Sequence, residues 1–336
     1  MEERRFSDIG RVAAIEALYE GTPYRATDSI YFETGGKSYV TSRNRLFLEG
    51  LDFDLTYFPL RHLGYRCVSV VSGDLYAELS SPRTLDIRVG ISSKLDFAQI
   101  KELWEGMVTA AGEHGYKKVG LDLIPSRNGL AVSVSASGET PYGMDRQKPQ
   151  VKDLICVSGS LGAAFFGQQV LERGKRRFEK DGSQPELEKY KMMVASYLKP
   201  EISPYTLSAL KDAGITPSMG YLVDRGLADA VKRLVRDSSL GAKVYADKIP
   251  FEGNSFELGK ELDIDPISAA MNGGDDYRLL YVVPISSYEK LRHDFQAFDI
   301  IGHMAREDEG AVMVTPDGLE LPLRAQGWND AAGQEE

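Results

Sequence analysis

The sequence predicts an α+β fold divided into two domains. The chain has 336 residues, which is more than one compact core usually contains. Residues 1–140 alternate strand-like and helix-like segments in an order that indicates mixed strand pairing. Residues 138–152 are polar, contain proline and glycine, and lack a hydrophobic period, which is typical of a domain boundary. We therefore expect one domain over residues 1–140 and a second over residues 150–330.

The composition is that of a soluble globular protein, with 42% hydrophobic and 27% charged residues. The formal net charge of −10 argues against a sequence-independent grip on nucleic acid or on an anionic membrane, because both need a basic surface. The opening residues MEERRFSDIG contain no apolar signal core, and no apolar run reaches membrane-spanning length. We therefore expect a cytoplasmic protein.

The cysteines and histidines do not indicate a disulfide or a zinc site. Cys67 and Cys156 lie in the apolar runs CVSVV and LICVSG, so we expect two buried free thiols. The four histidines are scattered along the chain without the spacing of metal ligands.

Local signals predict the first elements of the N-terminal domain. A short helix follows Ser7, which is a typical N-cap residue, and ends at Gly21. Two strands, SIYFE and KSYVTS, flank a turn at Gly35-Gly36. In LDFDLTY the alternation places the apolar residues on one face and the aspartates on the other. The remaining predicted strands are residues 67–72 with Asp74 in the following turn, TLDIRVGIS, KKVGLDL, and LAVSVSAS as the partner that returns beside KKVGLDL.

The clearest helix of the chain begins at Lys94 and ends at Gly115. Its apolar residues recur at three- and four-residue steps, so they form one stripe that packs on a core. We expect Trp104 to belong to this packing face rather than to a cofactor site. The stripe consists of Ile100, Leu103, Trp104, Met107, Val108 and Ala111.

The second domain begins with DLICVSGSLGAAFFG, which reads as a strand, a glycine turn and an apolar helix. This order is the outline of a phosphate-binding turn, although Gly-Ser-Leu-Gly by itself is a weak signal. The later predicted elements are helices at Tyr205–Ala213, from Arg225, at Phe256–Leu262 and at Tyr288–Phe298, strands in KVYADKIP and IIGHMA, and a hairpin in AVMVTPDGLELPL.

The stretch AAMNGGDDYRLL carries the most specific chemical pattern of the chain. Gly273 and Gly274 run directly into Asp275 and Asp276, and the strand-like run LLYVV follows Tyr277 closely. Glycines let the backbone approach a ligand, and adjacent carboxylates can gather Mg²⁺ at a sheet edge. An ordinary surface turn has the same residue types, so this alternative stays open.

The order of these pieces resembles the bacterial thiamine-monophosphate kinases of the aminoimidazole-ribonucleotide-synthetase-like superfamily. The likeness is most specific in EGLDFDLTYFPLRHLGY, DLICVSGSLGAAFFG, AAMNGGDDYRLLYVVP and AQGWND. It implies a two-domain α+β fold in which the N-terminal domain pairs with a second copy into a dimeric barrel, while the C-terminal domain is a mixed sheet packed with helices. It also implies ATP-dependent phosphorylation of thiamine phosphate to thiamine diphosphate, by direct transfer with Mg²⁺.

The chain departs from the family motifs at their acidic positions, where at least four acids are missing. The resemblance places Arg45 where the family has a metal-binding acid, and Leu222 and Arg225 replace the two acids of Asp-Ile-Ser-Asp-Gly-Leu. An arginine within about 4 Å of a divalent ion repels it by several kcal/mol. The guanidinium groups could instead bind phosphate directly, with fixed positive charge in place of the metal.

The resemblance assigns individual residues to the site. Tyr277 and Trp328 could present aromatic faces to a cationic ring, with core packing as the alternative. Glu49 could pair with Arg45 and close the site. The candidate catalytic residues are Asp122 and Asp224, the candidate nucleotide- or substrate-binding residues are Gly120, Arg146, Arg225, Asp275, Tyr277 and Trp328, and the candidate metal ligands are Asp28, Asp74, Asp122 and Asp276.

Three functions are compatible with this sequence. The first is a working thiamine-monophosphate kinase with an unusual metal shell. The second is a catalytically impaired or inactive relative, a homodimer that binds a nucleotide or another phosphate ligand in a regulatory or structural role. The third is a kinase that acts on another substrate. All three share one fold, because a fold does not fix a function.

Overall fold

Two β-sheets organise the chain in the computed structural model, which describes residues 10–26, 30–34, 38–141, 146–293 and 295–328. The first sheet has the strand order β1-β2-β5-β3-β4. Strand β5 lies antiparallel between β2 and β3, and β4 is parallel to β3 at one edge. These strands are β1 (Ile30–Thr34), β2 (Ser38–Leu48), β3 (Ser81–Ser92), β4 (Lys118–Ser126) and β5 (Ala131–Pro141).

The second sheet has the strand order β12-β11-β8-β10-β6-β9-β7 and is also mixed. Strands β11 and β8 are parallel, and all other neighbouring strands of this sheet pair antiparallel. Its strands are β6 (Leu154–Val157), β7 (Met219–Val223), β8 (Gly241–Tyr245), β9 (Arg278–Val283), β10 (Asp299–Ala305), β11 (Ala311–Val314) and β12 (Glu320–Pro322).

Helices cover the sheets, and the mixture confirms the predicted α+β class. The first sheet ends at residue 141 and the second begins at residue 154, and the predicted boundary segment, residues 138–152, overlaps the last residues of β5 and the connection between the sheets. The helices are α1 (Arg11–Tyr19), α2 (Leu60–Ala77), α3 (Phe97–Glu113), α4 (Ala163–Asp181), α5 (Lys191–Leu198), α6 (Thr206–Asp212), α7 (Leu227–Ser238), α8 (Ser255–Leu262), α9 (Pro266–Asn272) and α10 (Tyr288–His293).

Helix α2 lies between the two sheets and corrects the prediction of a strand at residues 67–72. It contacts β2 and β5 of the first sheet and β7 and β9 of the second. Because the helix is buried on almost every side, its apolar residues show no one-sided period, and a valine-rich run of this kind resembles a buried strand. Asp74 accordingly lies within the last turns of a helix, not in a turn after a strand.

Other segments also differ from the predicted pattern. Residues 51–57 form turns, in which Phe53 is buried while Leu51 is exposed, so LDFDLTY has no continuous apolar face. LAVSVSAS pairs with β2 and β3 and does not lie beside KKVGLDL. The last predicted helix ends at His293, and Phe295 and Phe298 pack into the core beyond it.

The remaining predicted elements are confirmed where the structure describes them, with two exceptions. KVYADKIP is a strand only as far as Tyr245, because a 3₁₀ turn follows at Ala246–Lys248, and Val108 of the predicted apolar stripe is exposed. Helix α3 has an Asp96 capping box, and Gly115 follows its end with a φ of 75°. Cys67 and Cys156 are buried free thiols. The predicted Ser7 cap, the Gly35-Gly36 turn and Asp28 lie outside the described residues. None of the described helices is long and apolar enough to cross a bilayer.

Arg66 on α2 is fully buried and connects α2 to the second half of the chain. Its Nη2 atom lies 2.9 Å from Asp275 Oδ2 and donates to the hydroxyl of Tyr277 at 2.9 Å. The guanidinium also lies over the rings of Phe58, Tyr197 and Tyr277, at 5.4, 4.9 and 5.2 Å from their centroids. Burial disfavours the charge on Arg66, but Asp275 keeps the pKa of Arg66 well above its ordinary value. A buried cation is tolerated here because a carboxylate and three aromatic faces replace its water.

Two glycines allow α2 and α3 to cross in backbone contact. A Cβ atom on Gly64 would lie 2.0 Å from the carbonyl oxygen of Leu103, and one on Gly106 would lie 2.0 Å from that of Arg61. Neither obstacle is a flexible side chain, so the helices would have to separate to accept a methyl group.

We predict that Gly64→Ala lowers the free energy of unfolding by about 2–3 kcal/mol, because overpacking against backbone cannot relax locally. The measurement is urea denaturation followed by circular dichroism. Gly112→Ala is the matched control, since a Cβ there meets nothing within 4 Å, and it should be neutral or stabilising by up to about 1 kcal/mol. Equal effects of the two substitutions would contradict the close crossing.

Candidate functional site

A charged cavity of about 510 Å³ lies between β2, α2 and the junction of β7 with α7. Its lining alternates basic and acidic side chains, so local charges are largely compensated within the site. The charged residues that line it are Arg11, Arg43, Arg45, Arg225 and Arg233, with Asp52, Asp74, Asp224 and Asp229.

Arg45 on β2 holds two of the predicted site aspartates. Its Nε and Nη2 atoms donate to the two oxygens of Asp74 at 2.6 and 2.7 Å, in the fork geometry typical of strong arginine–carboxylate pairs. Its Nη1 atom donates to Asp224 Oδ2 at 2.5 Å. We call this group of Arg45, Asp74 and Asp224 the Arg45 clamp.

The electrostatics of the clamp favour the charged forms of Arg45 and Asp224. Burial alone would raise the pKa of Asp224, but the guanidiniums of Arg45 and Arg233 hold it well below its usual range. Burial likewise opposes the charge on Arg45, and the two aspartates keep its pKa well above the ordinary value. Arg45 and Asp224 are therefore fixed charges at neutral pH.

A second layer of ion pairs supports the clamp from α7. Arg233 Nη2 donates to Asp224 Oδ1 at 2.7 Å, and Arg233 Nε lies 2.9 Å from Asp229 Oδ2. Asp229 is fully buried and also accepts from Arg11 Nη2 at 3.1 Å and from Trp328 Nε1 at 2.8 Å. Sequence reasoning missed this layer. A carboxylate on the inner face of a predicted helix, with an arginine four residues later, was the available signal.

Trp328 does not line the charged cavity. Besides its bond to Asp229, its ring lies under the side chains of Lys232 and Arg236, at 5.2 and 5.7 Å. Tyr277 is only 5% exposed, and its hydroxyl donates to Asp275 Oδ1 at 2.7 Å. Neither ring presents the open aromatic face that stacking on a ligand would require.

Arg225 is the most accessible guanidinium of the cavity. Its side chain is 46% exposed, and its Nε atom is 3.8 Å from Asp224 Oδ2, a longer distance than in the other pairs of that carboxylate. Because its charge is only loosely held, it is the group best placed to meet an incoming anion.

The Gly273–Tyr277 segment is bonded to the end of β7. Gly274, Asp275 and Tyr277 have φ values of 81°, 63° and 49°, in the left-handed region. The amide of Asp275 donates to Asp224 O and that of Tyr277 to Val223 O, both at 2.8 Å. The segment is therefore a fixed structural joint rather than a free surface turn.

Asp276 occupies the place where the predicted phosphate-binding turn would hold an anion. Its two oxygens accept from the backbone amides of Gly162, at 2.7 Å, and Ala164, at 3.2 Å, at the start of α4. Burial raises the pKa of Asp276 to about 7, while these two bonds favour its charged form. The donors of the turn are thus used by a side chain of the protein itself.

Several predicted residues lie elsewhere. Asp122 and Gly120 are on the edge strand β4, three strands from Arg45, which corresponds to about 14 Å at the usual strand spacing. Arg146 donates to Glu78 Oε2 and to Ala77 O, both at 3.0 Å, at the end of α2. The predicted pairing of Glu49 with Arg45 is wrong: Glu49 accepts from the amide of Leu130, and the partners of Arg45 are the two aspartates.

The described residues do not fit a magnesium ion held by the protein. Both oxygens of Asp74, Asp224, Asp275 and Asp276 already face a cation, a hydroxyl or a backbone amide, while the predicted ligand Asp28 lies outside the described residues. No group of three or more acidic, histidine or cysteine side chains among these residues is arranged to hold a metal. The positive charge of Arg45 would also repel a divalent ion.

Comparisons with known proteins give relatives and a fold. No family model matches the chain. It is 22% identical to the thiamine-monophosphate kinase of Bacillus subtilis over 84% of this chain and 85% of the relative. It is 25% identical to the thiamine-monophosphate kinase of Pyrococcus horikoshii over 80% of this chain and 79% of the relative. The structure of AaThiL complexed with AMPPCP and TMP is similar with a TM-score of 0.81 at 20% identity, over 98% of this chain and 99% of that chain.

These matches confirm the resemblance to the thiamine-monophosphate kinases that the sequence motifs predict. The structural likeness confirms the fold across nearly the whole chain.

We predict that Arg45→Gln creates a weak divalent-cation site, because Asp74 and Asp224 lose the charge that neutralises them. Without metal the variant should lose about 3 kcal/mol of stability. Millimolar Mn²⁺ should then raise the melting temperature of the variant and leave the wild type unchanged, as measured by differential scanning fluorimetry.

Arg43→Gln is the matched control for this test. Arg43 lines the same cavity but pairs with Glu78, which Arg146 also contacts, so its loss leaves the clamp intact. Equal stabilisation of wild type and Arg45→Gln by Mn²⁺ would show that the clamp does not exclude metal.

Proposed function

We propose that this relative of the thiamine-monophosphate kinases binds ATP and a thiamine-phosphate-like ester and transfers the γ-phosphoryl group between them. An oxygen of the acceptor phosphate would form a bond to the γ-phosphorus while the bond to the β-phosphate oxygen breaks, and ADP leaves. The observation that supports this proposal is similarity over nearly the full chain to a structure complexed with AMPPCP and TMP, together with curated relatives named for this activity.

The arginines of the charged cavity are the groups that would bind phosphate. Guanidinium groups match phosphate oxygens in a bidentate fork, and Arg225 is the exposed member of the set. Positive charge held in place before the reaction stabilises the charge that develops on a transferring phosphoryl group. Mg²⁺ would enter this proposal as the counterion of ATP, since the described acids do not fit a site for it.

A second candidate function, ligand binding without transfer, is favoured by the Arg45 clamp. Asp74 and Asp224 are both engaged by the same guanidinium, so the carboxylates that would organise metal-assisted transfer are neutralised. Such a protein would bind a nucleotide or phosphate ester in a regulatory or structural role.

We also propose that the chain forms a homodimer through its first sheet and that it acts in the cytoplasm. Strand β4 is an edge strand, and Val119, Leu121 and Leu123 on one of its faces are 39%, 43% and 46% exposed. Such an apolar edge is normally covered by a partner. Within one chain Asp122 does not line the charged cavity, so its proposed catalytic role would be met by the cavity of a partner copy.

We predict that the wild-type protein forms thiamine diphosphate from ATP and thiamine phosphate in a steady-state assay. Arg225→Gln should lower kcat/KM by roughly tenfold or more, because a charge-assisted hydrogen bond contributes about 1.5–3 kcal/mol. Arg292→Gln, on α10 and outside the cavity lining, should leave the rate unchanged.

The second candidate gives a different result in the same experiments. Calorimetry would then detect ATP binding that does not depend on Mg²⁺ and that weakens in Arg225→Gln, while no thiamine diphosphate forms. A protein that neither turns over nor binds ATP would contradict both functions.

We predict that Leu121→Lys converts a dimer into a monomer, because it places a charge in the apolar face of β4. Size-exclusion chromatography with light scattering gives the mass directly. Leu319→Lys, a similarly exposed leucine in the β11–β12 turn, should leave the mass unchanged. A wild-type monomer at micromolar concentration would refute the dimer.

A further inference from the structure

A second cavity, of about 570 Å³, lies beside the start of β9. It is bounded by Tyr65 of α2, by the segment 199–206, and by residues 295–298 beyond α10. Tyr277 is the one described residue that lines both this cavity and the charged cavity around Arg45. We call it the Arg278 cavity. Its volume is in the range of small-molecule sites.

Aromatic side chains form part of the wall of the Arg278 cavity. Phe295 and Phe298 are stacked at 5.5 Å with an interplanar angle of 16°, and both are buried. Tyr65 contributes a further ring, and Tyr205 is exposed at the rim. A surface of this kind favours a flat, apolar ring as its occupant.

Arg278 supplies an incompletely compensated positive charge to the same cavity. Its Nε donates to Ser160 O at 3.3 Å and its Nη1 to Glu201 O at 3.4 Å, both uncharged acceptors. The nearest carboxylate oxygen is Glu201 Oε2 at 3.9 Å, on a side chain that is 86% exposed. The Arg278 side chain itself is only 14% exposed, and its positive charge also acts to lower the pKa of Asp276, which lines an adjoining cavity with it. Arg278 therefore has carboxylates nearby but no carboxylate in close hydrogen-bonded contact.

Lys199 adds a second cation at the cavity. Its Nζ atom lies 4.8 Å from the ring centroid of Tyr65. Within the part of the chain that the structure describes, no carboxylate lies within ion-pair distance of Lys199. Two cations face the cavity, and Glu201 is the only acidic side chain among its described lining residues. An anionic group would therefore gain electrostatic energy there.

We propose that the Arg278 cavity is a second binding site, for a small aromatic anion. The flat ring would lie against the phenylalanine and tyrosine wall, and the anionic group would lie between Arg278 and Lys199. A carboxylate and a phosphate monoester meet this requirement equally in charge and hydrogen bonding. The cavity is separate from the proposed phosphoryl-transfer site, so the two proposals succeed or fail independently.

Three matched probes test the class of ligand by calorimetry on the full-length protein: 2-naphthoate, 2-naphthyl phosphate and neutral 2-naphthol. At least one anion is expected to bind at least tenfold more tightly than 2-naphthol. Tighter binding of the phosphate identifies a phosphate ester as the natural class, and tighter binding of the carboxylate identifies an aromatic acid. Equal affinity for 2-naphthol, or no binding of either anion at millimolar concentration, would overturn the proposal.

Substitutions in the two cavities show in which of them the probe binds. Arg278→Gln and Lys199→Gln should each weaken binding of the preferred anion at least fivefold, and Arg278→Lys should keep most of it by keeping the charge. Lys199 is exposed, so its variant tests the site even where Arg278→Gln disturbs the fold. Arg225→Gln, in the other cavity, should leave the affinity unchanged. A loss of affinity in Arg225→Gln with none in the other variants would place the probe in the wrong cavity and refute the site.

Discussion

The ion pairs of Arg45 are the constraint on which the site depends. One guanidinium on the first sheet is bonded to a helix behind that sheet, through Asp74, and to the end of a strand in the second sheet, through Asp224. The same three bonds therefore link the two sheets at the cavity and neutralise two of its acids. Arg66 reinforces this connection one layer deeper.

The Arg45 clamp determines which positive charges the cavity can offer to a phosphate group. A metal ion carries two charges and can bridge phosphates, whereas a guanidinium carries one charge and stays attached to its strand. Using a guanidinium in place of a metal ion impairs phosphate binding less than rapid phosphoryl transfer, because binding needs only complementary charge. Transfer also needs charge that matches the transition state in position. Because phosphate binding and phosphoryl transfer have different electrostatic requirements, binding and turnover must be measured separately in this protein.

The fold and the site were predictable from the sequence to different degrees. Periodicity identified α3 and α7, and the turn residues identified the β11–β12 hairpin, because each depends on neighbours in the chain. That α2 is a helix could not be predicted from its own residues, because its nearly complete burial removes the polar face by which a helix is recognised in a sequence. The partners of Glu49 and Asp276, and Arg11 and Trp328 among the partners of Asp229, are distant in the chain, so only the folded structure decides that they meet.

The carboxylate of Asp276 competes with dissolved anions for the backbone amides at the start of α4, because the protein chain itself holds it there. A free phosphate reaching those amides would have to displace a ligand held by the covalent chain, at an effective concentration far above that of any dissolved anion. The amides of Gly162 and Ala164 are thus already bonded within the chain. Under the proposed function, recognition of phosphate would consequently depend more on side chains than on these two main-chain donors.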